Sequence, residues 1–499
     1  MSASSESPRK TSSQGHDDAP SFVPDQEKSF VEDHVDGDDN VWYKLDLVVL
    51  PVVTIMFFLS NLDRSNIGNA SIAGLLTALK MTPRQYSIAL TTTLVPYALV
   101  NFGTNLLMKI IGPRVMLPTL CILWGLVATL QGVVTSYSGL LACRFFLGLF
   151  EGGLLPGITL YLSSFYPRRR LQARASVVLS SVTLASAFSG LLAAALIKLH
   201  GMGGRPGWAW LFIIEGVISI GFGLLSYFLL PSSPTDIFLL TEQDKKYIAQ
   251  ELHKDGIILA EERDLKYTKA EVFRTFMRPH VWIVTLAGFF NGSSVGALGY
   301  FLPQIIVGLG WTGSKAQLMT VPPFAVAAFL AITASILSDK FARRGLTMIG
   351  FGTLATIGFG IFTAKLPAHT LYGSLFLLTP GVFGIAPSLG TWLANNSAPL
   401  ARRATAVSIG TIATNFGAIF STWLFGTISP SPTYHTAKVT LLVFQIGTVL
   451  AAVANIFYLS AQNKRNERLQ QEHGGSEPYK GEGSVMEAGD DSIWYKFVM

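Results

Sequence analysis

Arg144 and Glu151 stand seven residues apart in an apolar run. On a helix that spacing is two turns, so both side chains leave on one face. The two types have a joint use. A guanidinium presents a planar fork that holds a carboxylate through two hydrogen bonds. A carboxyl group beside it can take up and release a proton. Such a pair either couples a proton to an organic anion by charge balance or forms a static ion pair that locks two helices. Asp63 and Arg64 are adjacent, so their side chains diverge by about 100° on a helix and do not pair with each other. Arg64 either meets a solute or snorkels to the membrane surface; Asp63 bonds a neighbouring helix or carries a proton. Glu215, seven residues after Trp208, is a helix contact or a further proton carrier. Asn291, Asn395, Asn396 and Asn415 lie within or at the ends of apolar runs, where amides bind a solute or bridge helices. Trp392 shapes a cavity or packs a core. The candidate solute-binding residues are therefore Arg64, Arg144, Asn291, Trp392 and Asn396, and the candidate proton carriers are Glu151, Asp63 and Glu215.

These residues matter because of the solvent around them. Of 499 residues, 50% are hydrophobic and 14% charged, and mean hydropathy is +0.43. A soluble domain carries about a quarter charged residues. The composition excludes a disordered chain, a coiled coil and most soluble enzymes, and points to a polytopic membrane protein. Inside a span an ionisable side chain is costly unless paired or hydrated, and so marks a functional position. The acids are unevenly placed: outside residues 1–41, 231–279 and the tail from Gln462, only Asp46, Asp63, Glu151, Glu215 and Asp339 remain. No phosphate-cradling G-x4-G-K-[ST] loop is present, and no nucleophile–base set suggests an enzyme. Cys121 and Cys143 both sit in apolar runs, without metal-site spacing. No cofactor or metal is expected.

Stepping along the chain, residues 1–41 read as a disordered acidic tail without signal-peptide pattern. Apolar runs long enough to span follow at 45–68, 85–109, 114–134, 138–163, 174–198 and 209–230. After a hydrophilic connection, 231–279, come 280–307, 317–338, 345–365, 370–393, 403–426 and 438–461, and then a tail, 462–499. The expected fold is an all-α membrane protein of twelve transmembrane helices, in an N-terminal half (42–230) and a C-terminal half (280–461). Basic residues cluster at Lys109 with Arg114, Arg168 to Arg170 with Arg174, Lys340 with Arg343 and Arg344, and Arg402 with Arg403. That side should be cytoplasmic, and with an even number of spans both termini and the central connection share it. Within the connection, Leu240 to Leu252 has an amphipathic pattern that Thr241 can cap, with Asp244 three residues on. Two six-span halves suit a solute site near the bilayer midplane.

Several segments carry a more specific resemblance: NLDRSNIGNA (Asn61 to Ala70), RFFLGLFEGGLLPGITLYLSSFYPRRR (Arg144 to Arg170), GWAWLFIIEG (Gly207 to Gly216), YFLPQIIVGLGWT (Tyr300 to Thr312), SDKFARRG (Ser338 to Gly345), WLANNSAPLARRATAVSIGTIATNFG (Trp392 to Gly417) and SPTYHTA (Ser431 to Ala437). Over about Trp42 to Gln462 the chain resembles the anion:cation symporter family of the major facilitator superfamily, and within it the fungal allantoate permease branch, which also covers vitamin permeases. The resemblance implies proton-coupled symport of a small organic anion by alternating access, with efflux of a fungal secondary metabolite as the alternative. It implies a lipid-embedded, monomeric carrier in the plasma membrane, with no nucleic-acid partner. Vesicular glutamate transporters and sialin are similar at the R-x6-E pattern, which implies that Arg144 and Glu151 line the cavity, and Arg64 matches a cavity-lining basic position. Asp339, Arg343 and Arg344 resemble the superfamily's D-x3-R-R loop motif, implying a gating latch. Three positions depart from the family pattern: Asn101, Gly103 and Arg170 stand where a Glu, a Pro and a Glu are usual, which removes carboxylates from the cytoplasmic face.

Overall fold

A computed structural model of the chain describes residues 40–252, 269–341, 344–398, 400–429, 432–472 and 489–499. The tail expected over 1–41 falls almost wholly outside them. The N-terminal half comprises α1 (Asn40–Ala70), α2 (Pro83–Ile111), α3 (Pro113–Gln131), α4 (Tyr137–Glu151), α5 (Leu154–Ser163), α6 (Arg168–Leu196) and α7 (Gly207–Leu229). The connection carries α8 (242–252) and α9 (Lys269–Phe276). The C-terminal half comprises α10 (Pro279–Gly308), α11 (Gly313–Phe341), α12 (Arg344–Thr363), α13 (Ala368–Asn395), α14 (Leu400–Trp423) and α15 (His435–Glu472). Among the described residues eleven segments are long and apolar enough to cross a bilayer, and the 29-residue α2 covers the remaining run expected from the sequence. No strand occurs among the described residues.

Local chemistry sets the ends of these helices. Thr82 caps α2: Gln85 N donates to Thr82 Oγ1 at 3.2 Å, and Thr82 N donates to Gln85 Oε1 at 2.8 Å, with Pro83 in the first turn, where a missing N–H costs nothing. The expected loop helix is present as α8. Asp244 N donates to Thr241 Oγ1 at 3.2 Å and Thr241 N to Asp244 Oδ2 at 3.1 Å. Lys44 Nζ, 2.7 Å from Asp244 Oδ2, ties α8 to α1. The fourth span, expected as one run, is two helices broken at Gly152–Gly153. Pro156 has no N–H to bridge the break, and a Cβ on Gly152 would lie 2.6 Å from Tyr97 O, so α4 and α2 approach closely only because side chains are lacking there.

In each half the first helix packs on the fifth and sixth crossings: α1 on α6 and α7, α10 on α14 and α15. The halves meet through α6 with α11, α2 with α14, and α1 with α10. Hydrogen bonds joining them gather at the end away from α8 and α9, called here the far end. Ser87 Oγ donates to Thr422 O (2.8 Å), Gln317 Nε2 to Asn69 O (3.0 Å) and Gln304 Nε2 to Ser71 Oγ (2.9 Å). Glycines permit this closure. A Cβ on Gly68 would sit 2.8 Å from Tyr300 O, and one on Gly190 2.9 Å from Gln317 O. Backbone atoms cannot yield as side-chain tips do, so Gly190→Val should hold the far end apart. In purified protein, a cysteine introduced at Ser71 should then react several-fold faster with a bulky thiol reagent. An unchanged rate would show that the seal does not depend on this approach.

Candidate functional site

Five ionisable residues converge inside the N-terminal half: Asp63 and Arg64 on α1, Arg144 and Glu151 on α4, and Glu215 on α7. Asp63, Arg144, Glu151 and Glu215 are each at most 2% exposed. Their helices place them because each carries its charge on the stripe turned toward its neighbours. Arg144, Leu147, Gly148 and Glu151 form the buried face of α4, and Gly148 lets that face reach the backbone of Thr93 on α2.

Glu151 meets Arg64. Their Oε2 and Nε lie 2.9 Å apart, yet neither Glu151 oxygen accepts an aligned hydrogen bond, so the contact is ionic and leaves the carboxylate's lone pairs open. Arg64 is fixed on its other sides: Nη2 donates to Ser60 Oγ at 3.1 Å, and the guanidinium lies 4.5 Å above the Tyr97 ring, a cation–π contact. Arg144 shares its helix face with Glu151, as the spacing requires, but acts on it at longer range. Its guanidinium lies 5.6 Å from the Phe212 ring centroid, and its Nε and Nη2 make no hydrogen bond.

A second layer lies behind. Ser219 Oγ donates to Asp63 Oδ2 at 3.3 Å, and Asp63 Oδ1 accepts nothing. Glu215, one turn before Ser219 on α7, has neither oxygen hydrogen-bonded and lies within electrostatic reach of Asp63. Tyr300 of α10 completes the ring from the other half, within electrostatic reach of Arg64, Glu151 and Arg144. Three carboxyl groups and two guanidinium groups thus share one buried space, an arrangement able to trade protons against a bound anion.

The remaining candidates lie elsewhere. Asn291 is fully buried in α10 with both amide atoms unbonded. It stands nine residues from Tyr300, half a turn round the helix, and so faces away from the ionic cluster. Trp392 and Asn396, at the opposite end of the C-terminal half, hold the chain terminus: Trp392 Nε1 and Asn396 Nδ2 both donate to Val498 O at 2.9 Å. Arg344 is buried at the start of α12; the side chains of Asp339 and Arg343 lie outside the described residues. Sequence reasoning missed Ser219, Ser60 and Phe212. Ser219 carried a signal, being one turn from Glu215; the other two become visible only once the helices are packed.

Membrane-crossing helices in two halves, with charges buried inside the N-terminal half and Tyr300 reaching toward them from the other, form the frame of a membrane transporter. The signature of the Major Facilitator Superfamily matches residues 53–422 and 284–481, and the chain belongs to that family. It is 34% identical to an uncharacterized transporter of Schizosaccharomyces pombe over 432 residues, covering 86% of this chain and 85% of the relative. It is 30% identical to the high-affinity nicotinic acid transporter of Saccharomyces cerevisiae over 427 residues, covering 85% and 79%. Among solved structures, the inward open conformation of the xylose transporter XylE from E. coli superposes with a TM-score of 0.63 at 15% identity, covering 82% of this chain and 95% of that one.

Proposed function

We propose that this carrier moves a small organic anion, a carboxylate, together with protons by alternating access, in the manner of the allantoate permease branch. The observation that carries the reading is Arg144: a buried guanidinium whose Nε and Nη2 are unbonded, beside a carboxyl group already engaged by another cation. An anion's carboxylate fits those open donors. The charge count supplies the coupling. With every group ionised the cluster carries one net negative charge; one proton neutralises it, and an added anion calls for a second. Glu151, whose oxygens are open, is the first candidate to take it, with Asp63 and Glu215 behind. The nicotinic acid transporter among the relatives is consistent with a carboxylate solute. The basic loops at the α8–α9 end favour a cytoplasmic position for that end and for both termini; on this reading the far-end seal corresponds to an inward-facing state, and the carrier acts as a monomer in the plasma membrane.

Paired metabolite profiling of cells and medium, in a deletion strain and its parent, tests direction and solute together. An anionic nutrient left in the deletion strain's medium supports uptake; a metabolite retained in its cells would reverse the reading to export. Once the solute is known, Glu151→Gln should flatten the pH dependence of transport. A pH profile identical to wild type would remove Glu151 as the proton carrier.

A further inference from the structure

The last residues of the chain, 489–499, lie across the α8–α9 end of the C-terminal half in a seat built for them. On α15, Asn463, Asn466 and Gln470 fall on one helix face. Their amides donate to Phe497 O (3.0 Å), Tyr495 O (3.0 Å) and Ile493 O (2.5 Å), alternate residues of the terminal segment. Phe497 N donates back to Asn463 Oδ1 at 2.9 Å, and Val498 N to Asn396 Oδ1 at 2.7 Å. Phe497 is buried among α10, α13 and α15 side chains. The segment begins with two acids. Asp490 contacts Arg402 and lies 3.4 Å from Arg278; Asp491 contacts Arg278 and lies 2.8 Å from Arg402 Nη1.

Comparing the halves shows what these acids replace. In the N-terminal half Asp46 of α1 holds Arg174 of α6 at 2.8 Å and 3.0 Å. The corresponding pair in the C-terminal half is α10 with α14. Arg402 opens α14, but no Asp or Glu occurs between Arg278 and Asp339. The tail supplies the carboxylates that α10 lacks. This matters for movement: alternating access must at some stage bring the α8–α9 ends of the halves together. The N-terminal half carries Arg114, Arg170 and Arg174 there, with Asp46 balancing Arg174; the other carries Arg278 and Arg403, with Arg344 and Arg402 buried beneath them. Two cationic surfaces resist such an approach.

We propose that residues 489–499 form a strap whose Asp490 and Asp491 provide the counter-charge that lets the α8–α9 end close. The strap rests on the alternating-access reading of this carrier. Its test needs no solute. Spin labels at Ala173 on α6 and Ala404 on α14, both exposed, report the separation of the two halves at this end in the purified full-length chain. Wild type should show two separations. Asp490→Asn with Asp491→Asn should reduce the short-distance share several-fold at about 0.01 M salt and recover it at about 0.15 M, where the Debye length falls from about 30 Å to about 8 Å. The pair of Asp→Glu changes, which keeps the charges, should behave as wild type and controls for folding. Two wild-type separations left unaltered by the Asn changes overturn the strap's role alone, as does a loss that salt does not restore. A single separation under every condition overturns the alternating-access reading with it.

Discussion

Replacing Arg144 with alanine should lower transport about 100-fold while leaving the thermal stability of the folded chain near wild type. The two effects separate because Arg144 is buried yet under-bonded. Its Nε and Nη2 have no hydrogen-bond partner, and its guanidinium lies 5.6 Å from the Phe212 ring centroid. Removing a buried, under-bonded cation also removes its desolvation cost, which offsets what its long-range attraction to Glu151 and Asp63 supplies. A bound carboxylate, by contrast, loses two charge-assisted hydrogen bonds of about 1.5 kcal/mol or more each, and about 3 kcal/mol corresponds to roughly two factors of ten. Uptake at limiting solute, measured with surface expression and a melting curve, checks both halves of the expectation. Arg144→Lys keeps the charge but not the fork and should fall between. Full transport in Arg144→Ala would remove this residue from the solute site.

The crossings were legible because lipid demands it: an unbroken apolar run of about 20 residues is the only backbone that satisfies its own hydrogen bonds there. The Thr241 cap was legible for a related reason, since it is decided within one turn of helix. The partners of the charges were not. Spacing placed Arg144 and Glu151 on one face, and they are on one face, but helical periodicity says nothing of how α1 is rotated against α4. That rotation presents Arg64, not Arg144, to Glu151 at 2.9 Å. Trp392 and Asn396 illustrate the longer-range limit. An indole and an amide at the end of a span suit a solute or a backbone equally, and what reaches them here is Val498, about a hundred residues away in sequence. The same segment brings Asp490 and Asp491 to Arg278 and Arg402, partners that no local spacing indicates.

Arg64→Ala should behave unlike Arg144→Ala, and the difference tests the geometry of the cluster. Glu151 is fully buried, accepts no aligned hydrogen bond, and has Arg64 Nε as its ion-pair partner. Deleting one member of a buried pair strands the other, at a cost of about 3–5 kcal/mol, to which loss of the Tyr97 contact adds. A large fall in thermal stability is therefore expected for Arg64→Ala alone. Making the second change, Glu151→Gln, removes the stranded charge, so the double variant should regain part of the lost stability while remaining unable to transport. That pattern, a coupling energy of about 1–3 kcal/mol in a double-mutant cycle with no functional rescue, arises only if the two side chains balance each other inside the protein and also act on what passes through it. Additive stabilities would mean that Glu151 is compensated elsewhere, with Arg144 the nearest alternative. Restored transport in the double variant would mean that the pair serves folding alone, leaving Arg144, Asp63 and Glu215 to handle both anion and proton.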